Sequence, residues 1–268
     1  MAESVKRKPR SRGPAYGPWA LVTGASDGIG RAIAVELARE GYSVVLVARR
    51  QATLEALAER LTAEFGVEAR ALVADLASPA QTAALDSQTR DLDIGLLVAA
   101  AGYGGSGPFA EASQDAELGM IDVNCRALAQ SAQDFARRFV ARKRGALVLM
   151  SSLVAFQGVP RAANYAATKA YVQTLAEGLA VELKAKGVDV LASAPGPVMS
   201  GFGARAGMKI VGGQTPEEVA RGTLRALGRR TTVRPGFLAK ALEAALAPLP
   251  RYFRVRVMGQ VMAGMTGA

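Results

Sequence analysis

Apolar residues fall in short continuous blocks along the chain, at 20–22, 44–47, 69–73, 94–98, 146–150 and 188–192, rich in Val, Leu and Ala. A strand with one wet face alternates apolar and polar positions, so blocks without alternation predict strands buried on both faces. Between them lie stretches of helical pattern over 31–40, 53–65, 81–90, 115–142 and 163–186. Strand and helix taking turns predict an α/β fold: a doubly wound parallel sheet with helices on both faces, a three-layer α/β/α sandwich. Further on, 220–227 reads as a helix, 231–233 as a last strand and 237–249 as an apolar amphipathic helix. Segment 251–258 then interleaves arginine with large apolar residues. The expected organisation is a basic flexible tail over 1–16, a catalytic domain over 17–235, and a C-terminal helical extension over 236–268 packed on that domain.

A chain of 268 residues, half of them hydrophobic and 21% charged, has the means for one large core. Histidine is absent and Cys125 is the sole cysteine. Zinc hydrolases, Ser-His-Asp triads and Cys-His dyads are therefore excluded, no metal site is expected, and no intrachain disulfide points to an oxidising compartment. The first 14 residues lack a signal-peptide core, and no run approaches the roughly 18 apolar residues of a membrane span. A cytoplasmic protein is expected. The formal charge of +10 raises nucleic acid or an acidic membrane as a partner. The charge sits at the ends: five Lys/Arg against one acid in residues 1–12, nine against one in 221–268, and 19 against 21 between. The body is near-neutral with basic ends and carries no nucleic-acid motif; the C-terminal extension reads first as a helix covering the substrate cleft or a subunit interface, with peripheral membrane contact as the alternative.

The first block runs into Thr23-Gly24-Ala25-Ser26-Asp27-Gly28-Ile29-Gly30 and then a helix start. Glycines let a backbone approach a pyrophosphate, and the helix N-terminus offers unpaired N–H groups to its charge. The plainer alternative is a turn from strand to helix. The spacing Thr-Gly-x-x-x-Gly-x-Gly resembles the cofactor signature of the classical short-chain dehydrogenase/reductase family, whose Rossmann fold matches the alternation above. The second strand ends in Val47-Ala48-Arg49-Arg50. An NAD-selective site would place an acid there, whereas arginine pairs with a 2′-phosphate, so NADP(H) is favoured over NAD(H). A solvated basic helix start is the alternative for Arg49 and Arg50. Asp75 and Leu76 match the family's adenine-contacting position, although Asp75 also suits a helix N-cap.

Tyr165 and Lys169 lie four apart on a helical stretch and share one face. A phenol titrates near 10, and a neighbouring ammonium favours phenolate, which would pull it toward a useful range for acid–base work. Ser152, thirteen residues before Tyr165, follows a strand at the edge where open parallel sheets bind ligands. Ser151 sits one position too far.

By resemblance to the family, Ser152 polarises a substrate carbonyl and Tyr165 exchanges the proton. Lys169 holds the nicotinamide ribose, and Asn124 supports a water relay. The resemblance further assigns Ala101 and Gly102 to close approach to the cofactor, and Pro195, Gly196, Val198 and Ser200 to the segment turning over the nicotinamide. The glycines from Gly201 to Gly213 read as a mobile stretch suited to a substrate lid, with a plain flexible loop as the alternative. One departure stands out: the family's Asn-Asn-Ala-Gly turn reads Ala99-Ala100-Ala101-Gly102 here, removing one side-chain amide with an effect expected on stability more than chemistry.

The resemblance spans roughly 19–202 and implies an oxidoreductase moving hydride between NADP(H) and a carbonyl or alcohol, in a homodimer or homotetramer. Segments 16–19 and 103–109 resemble members acting on apolar ketones, such as hydroxysteroid dehydrogenases and 3-oxoacyl thioester reductases. The competing reading is a dinucleotide sensor that keeps the fold without turnover.

Overall fold

The computed structural model describes residues 14–210 and 212–266. Seven strands form one sheet: β1 (Trp19–Thr23), β2 (Ser43–Ala48), β3 (Ala69–Val73), β4 (Ile94–Ala99), β5 (Gly145–Met150), β6 (Val188–Ser193) and β7 (Thr232–Val233). Their spatial order is β3-β2-β1-β4-β5-β6-β7 and every pair is parallel. The helices are α1 (Gly28–Arg39), α2 (Gln51–Phe65), α3 (Pro79–Ser87), α4 (Gln114–Ile121), α5 (Leu128–Arg142), α6 (Ala163–Lys184), α7 (Gly201–Arg205), α8 (Pro216–Ala226), α9 (Phe237–Leu246) and α10 (Arg251–Thr266).

Period-2 geometry sends alternate strand residues into two cores. Leu21, Val45, Leu97, Leu147 and Val190 pack with Phe135 and Phe139 of α5 and Val172 and Ala176 of α6. Val22, Leu46, Val98 and Val148 pack with Ile33 and Leu37 of α1 and Leu54 and Leu61 of α2. Both faces of β1, β2, β4, β5 and β6 are dry, which is why those blocks carry no alternation; β3, at the sheet edge, departs from the expected two-sided burial, with Arg70, Ala71 and Val73 exposed. The chain reverses its order of strand addition between β1 and β4, so a crevice opens beyond their carboxyl ends.

Three further expectations need correction. The helix expected over 115–142 is interrupted by a π-helical stretch, Asp122–Ala127. Within it the Asn124 amide donates to the Tyr103 carbonyl at 2.9 Å and the Thr168 hydroxyl at 3.0 Å, contacts that accompany the wider turn. The glycine stretch expected to be a mobile lid begins as α7, capped by the Ser200 hydroxyl on the Phe202 N–H. The basic tail expected over 1–16 lies mostly outside the described residues, but its last part packs: the Ala15 N–H donates to the Tyr42 hydroxyl at 3.0 Å, and the Tyr16 hydroxyl to Asp189 at 2.8 Å.

Candidate active site

The turns after β1, β2, β3, β4, β5 and β6 meet at one sheet edge and enclose a cavity of about 630 Å³. Every residue nominated above for catalysis or cofactor contact lines it, except Asn124.

At one end, Thr23 explains its place before the glycines. Its hydroxyl accepts the N–H groups of Ala100 at 3.1 Å and Ala101 at 3.0 Å, locking the β1 and β4 turns together. The turn lacking the family's asparagine is thus held from the neighbouring strand, while Ala99 packs in the core. Gly24 has φ +69° and its absent Cβ would lie 2.9 Å from the Ala101 Cα; a Cβ on Gly30 would lie 2.4 Å from the Gly24 carbonyl oxygen. No other residue permits that approach. Asp27 caps α1, its carboxylate accepting the Gly28 N–H at 2.7 Å and pairing with Arg205 of α7 at 3.1 Å. Arg50 donates to the Ser26 carbonyl and hydroxyl at 2.9 and 3.1 Å, whereas Arg49 makes no hydrogen bond or ion pair among the described residues. Asp75 does not cap α3; Ser78 does, and Asp75 closes a local turn on the Ala77 N–H. Open backbone at the glycines, a helix N-terminus and two arginines beside them fit the pyrophosphate and 2′-phosphate of a dinucleotide.

Farther along, the two serines after β5 separate. The Ser151 hydroxyl turns inward and donates to the Lys169 carbonyl at 3.1 Å. Ser152 faces the cavity and caps a short 3-10 turn through the Val154 N–H, and its hydroxyl acts on the Tyr165 phenol, favouring the ionised form. Lys169 points its Nζ at the Met150 carbonyl, 2.8 Å away, and lies 5.9 Å from the Tyr165 ring centre.

Burial decides both titrations. It pushes the Tyr165 phenol up to about 12, with the Ser152 hydroxyl pulling the other way, and pushes the Lys169 ammonium down to about 8. The expectation that the lysine depresses the tyrosine therefore fails here. Desolvation is the largest cause for both groups, and the ammonium is turned toward a backbone carbonyl. Asn124 stands behind the wall, its amide spent on Tyr103 and Thr168 and its carbonyl oxygen accepting the Tyr103 N–H at 3.1 Å. It braces the loop after β4, and its donors are not free for a relay.

Of the far wall, the sequence pointed to the C-terminal extension as a cleft cover but not to the side chains that line the cavity. Phe202 stacks on Tyr165 at 5.5 Å, and Met208, Leu242, Met258 and Met262 complete an apolar cluster around it. Methionines at 258, 262 and 265 on one helix were the available signal.

A family model described as short chain dehydrogenase matches residues 18–209. A 7beta-hydroxysteroid dehydrogenase of Clostridium sardiniense is 36% identical over 185 residues, covering 69% of this chain and 71% of that one. A very-long-chain 3-oxoacyl-CoA reductase of Aspergillus clavatus is 35% identical over 68% of this chain, which spans 53% of its length. Among solved structures, a short-chain dehydrogenase from Sphingobium yanoikuyae in complex with NADPH matches at TM-score 0.77 and 35% identity, over 86% of this chain and 94% of that one. A 7beta-hydroxysteroid dehydrogenase structure matches at TM-score 0.84 and 27% identity, over 91% and 97%. With the family model running from β1 past α7, and relatives this similar along two-thirds of its length, the chain belongs to the short-chain dehydrogenase/reductase family, NAD(P)-dependent oxidoreductases acting on CH–OH groups.

Proposed function

We propose that the protein reduces a bulky apolar ketone, or a 3-oxoacyl compound of similar character, with NADPH, and that Tyr165 is the proton donor. The observation that carries this reading is the cavity's two-part lining: glycines and arginines at one end, and the Tyr165–Ser152 pair beneath Phe202, Met208, Leu242, Met258 and Met262 at the other. NADPH, if held by the glycine and arginine end of the cavity, would supply the hydride for the carbonyl carbon. Ser152 holds the carbonyl oxygen beside the phenol, and Tyr165 gives that oxygen its proton. A phenol held near 12 keeps its proton at neutral pH, which suits an acid in the reducing direction. Lys169 lies within reach of the same end and braces β5 through Met150. Gly24, Ser26, Gly28, Ile29 and Gly30 form the phosphate cradle, with Asp75, Leu76, Ala101 and Gly102 along its side and Pro195, Gly196, Val198 and Ser200 closing it. An NADPH-consumption screen over apolar ketones, aldehydes and 3-oxoacyl thioesters tests the reading. Binding of NADPH with no consumption on any of them would favour the sensor instead.

Cofactor choice rests on Arg49, which makes no hydrogen bond or ion pair among the described residues. Arg49→Ala is expected to lower the NADPH-over-NADH preference in kcat/KM by roughly tenfold or more, the loss of a charge-assisted hydrogen bond. Equal turnover with NADH by the unaltered protein would contradict the assignment.

The Asp27–Arg205 pair seats α7 on the phosphate cradle and neutralises a carboxylate where a pyrophosphate would sit. Arg205 is 53% exposed, so the effect is modest: Arg205→Ala should raise the Kd for NADPH about threefold to fivefold. The difference should shrink as salt is added, measured by quenching of protein fluorescence.

A further inference from the structure

Helix α10 has two chemically different faces. Successive residues advance about 100° around a helix, which puts 258, 262 and 265 on one side and 252, 253, 256 and 260 on the other. The first face carries Met258 and Met262, both buried and lining the cavity. The second carries Tyr252 and Phe253, 59% and 52% exposed, with rings edge to face at 5.5 Å. The Arg256 guanidinium sits 4.5 Å from the Tyr252 ring centre. None of the three belongs to the apolar cluster around Tyr165.

Charge on this segment has one sign. Residues 244–268 hold three arginines and no acid. Arg254 is committed to the carbonyls of Leu249 and Ala247, which fixes the entry into α10. Arg256 remains exposed beside the aromatic pair, and Arg251, which shares the azimuth of Met258, is exposed at the N-terminal end of the helix. We propose that this outer face, together with the exposed N-terminal end of α10, docks on an anionic lipid surface, with Tyr252 and Phe253 at headgroup depth, Arg256 on the face and Arg251 at the helix end reaching lipid phosphates. A second copy of the chain fits less well, because an isologous contact would set arginines against themselves with no acid on the face to answer them. Docking would bring the helix that roofs the cavity against the medium in which an apolar ketone dissolves. That last link rests on the function proposed above; the docking does not.

The test is co-flotation of the full chain, without cofactor or ketone, with vesicles of phosphatidylcholine alone or mixed with phosphatidylglycerol. Binding is expected on the mixed vesicles only, weakening with salt. Tyr252→Ser with Phe253→Ser, and separately Arg251→Glu with Arg256→Glu, should each lower the affinity on the order of tenfold. Both pairs should leave the NADPH Kd and the melting temperature unchanged, which shows that the fold is intact. The proposal is overturned if neither pair alters vesicle binding, if neutralising the basic residues of segment 1–12 alone abolishes it, or if the pairs instead dissolve a dimer formed without lipid.

Discussion

Tyr165→Phe is expected to lower kcat for ketone reduction by roughly two to four powers of ten while leaving NADPH affinity unchanged. The substitution is nearly isosteric. The Tyr165 ring is buried against Phe202, Met258 and Met262, and phenylalanine keeps all of that packing. What disappears is one O–H, whose titration the Ser152 hydroxyl influences. Because the phenol lies near 12, the hydroxyl is a proton donor throughout the neutral range, while two other proton-bearing groups lining that end are committed elsewhere, Lys169 to the Met150 carbonyl and the Tyr103 hydroxyl to the Ala116 carbonyl. Ser152→Ala leaves the donor in place and removes the hydroxyl that influences it, so it should fall less far. Single-turnover absorbance of NADPH, with a ketone that the wild type reduces, separates chemistry from binding. Wild-type kcat in the phenylalanine variant would remove Tyr165 from the mechanism.

What the chain's pattern revealed, and what it concealed, follows the range of the interactions involved. The strands were legible because residues such as Leu21 and Val22 both face dry cores, leaving continuous apolar blocks. The cradle was legible because its chemistry is local: the Gly24-to-Gly30 turn, the two arginines ending β2 and the Tyr165–Lys169 pair each declare themselves within a few residues. The π stretch at Asp122–Ala127 was not, since one extra residue in a turn barely disturbs a helical pattern, and its contacts reach Tyr103 and Thr168. Tyr165 and Lys169 could be placed on one face from spacing, but the direction of their titration depends on burial by Phe202, Met258 and Met262, which arrive from distant parts of the chain. The side chains lining the far wall of the cavity escaped for the same reason.

Lys169→Met should both impair reduction and raise the melting temperature at pH 7. Burial holds the ammonium down to about 8, against 10.5 for the ordinary group. Below pH 8 both folded and unfolded chains carry the proton, and the folded state bears the full cost of the buried charge. Between pH 8 and 10.5 the unfolded chain binds a proton that the folded chain has released, so wild-type stability rises with pH across that interval. At about 1.4 kcal/mol per pKa unit the cost is of the order of 3 kcal/mol. Methionine keeps the length and apolar stem and carries no charge, so the variant should melt several degrees higher at pH 7, with the difference closing toward pH 10.5. Tyr165 acts in the opposite sense, losing stability from about pH 10 upward, but it does so equally in both proteins and cancels in the comparison. A variant that melts lower at pH 7, or a difference that does not change with pH, would mean the ammonium is not a burden on the fold. The expected result would instead separate two demands on one residue: a lysine that destabilises the folded chain at neutral pH is retained at the end of the cavity where reduction is proposed, and removing it trades activity for stability.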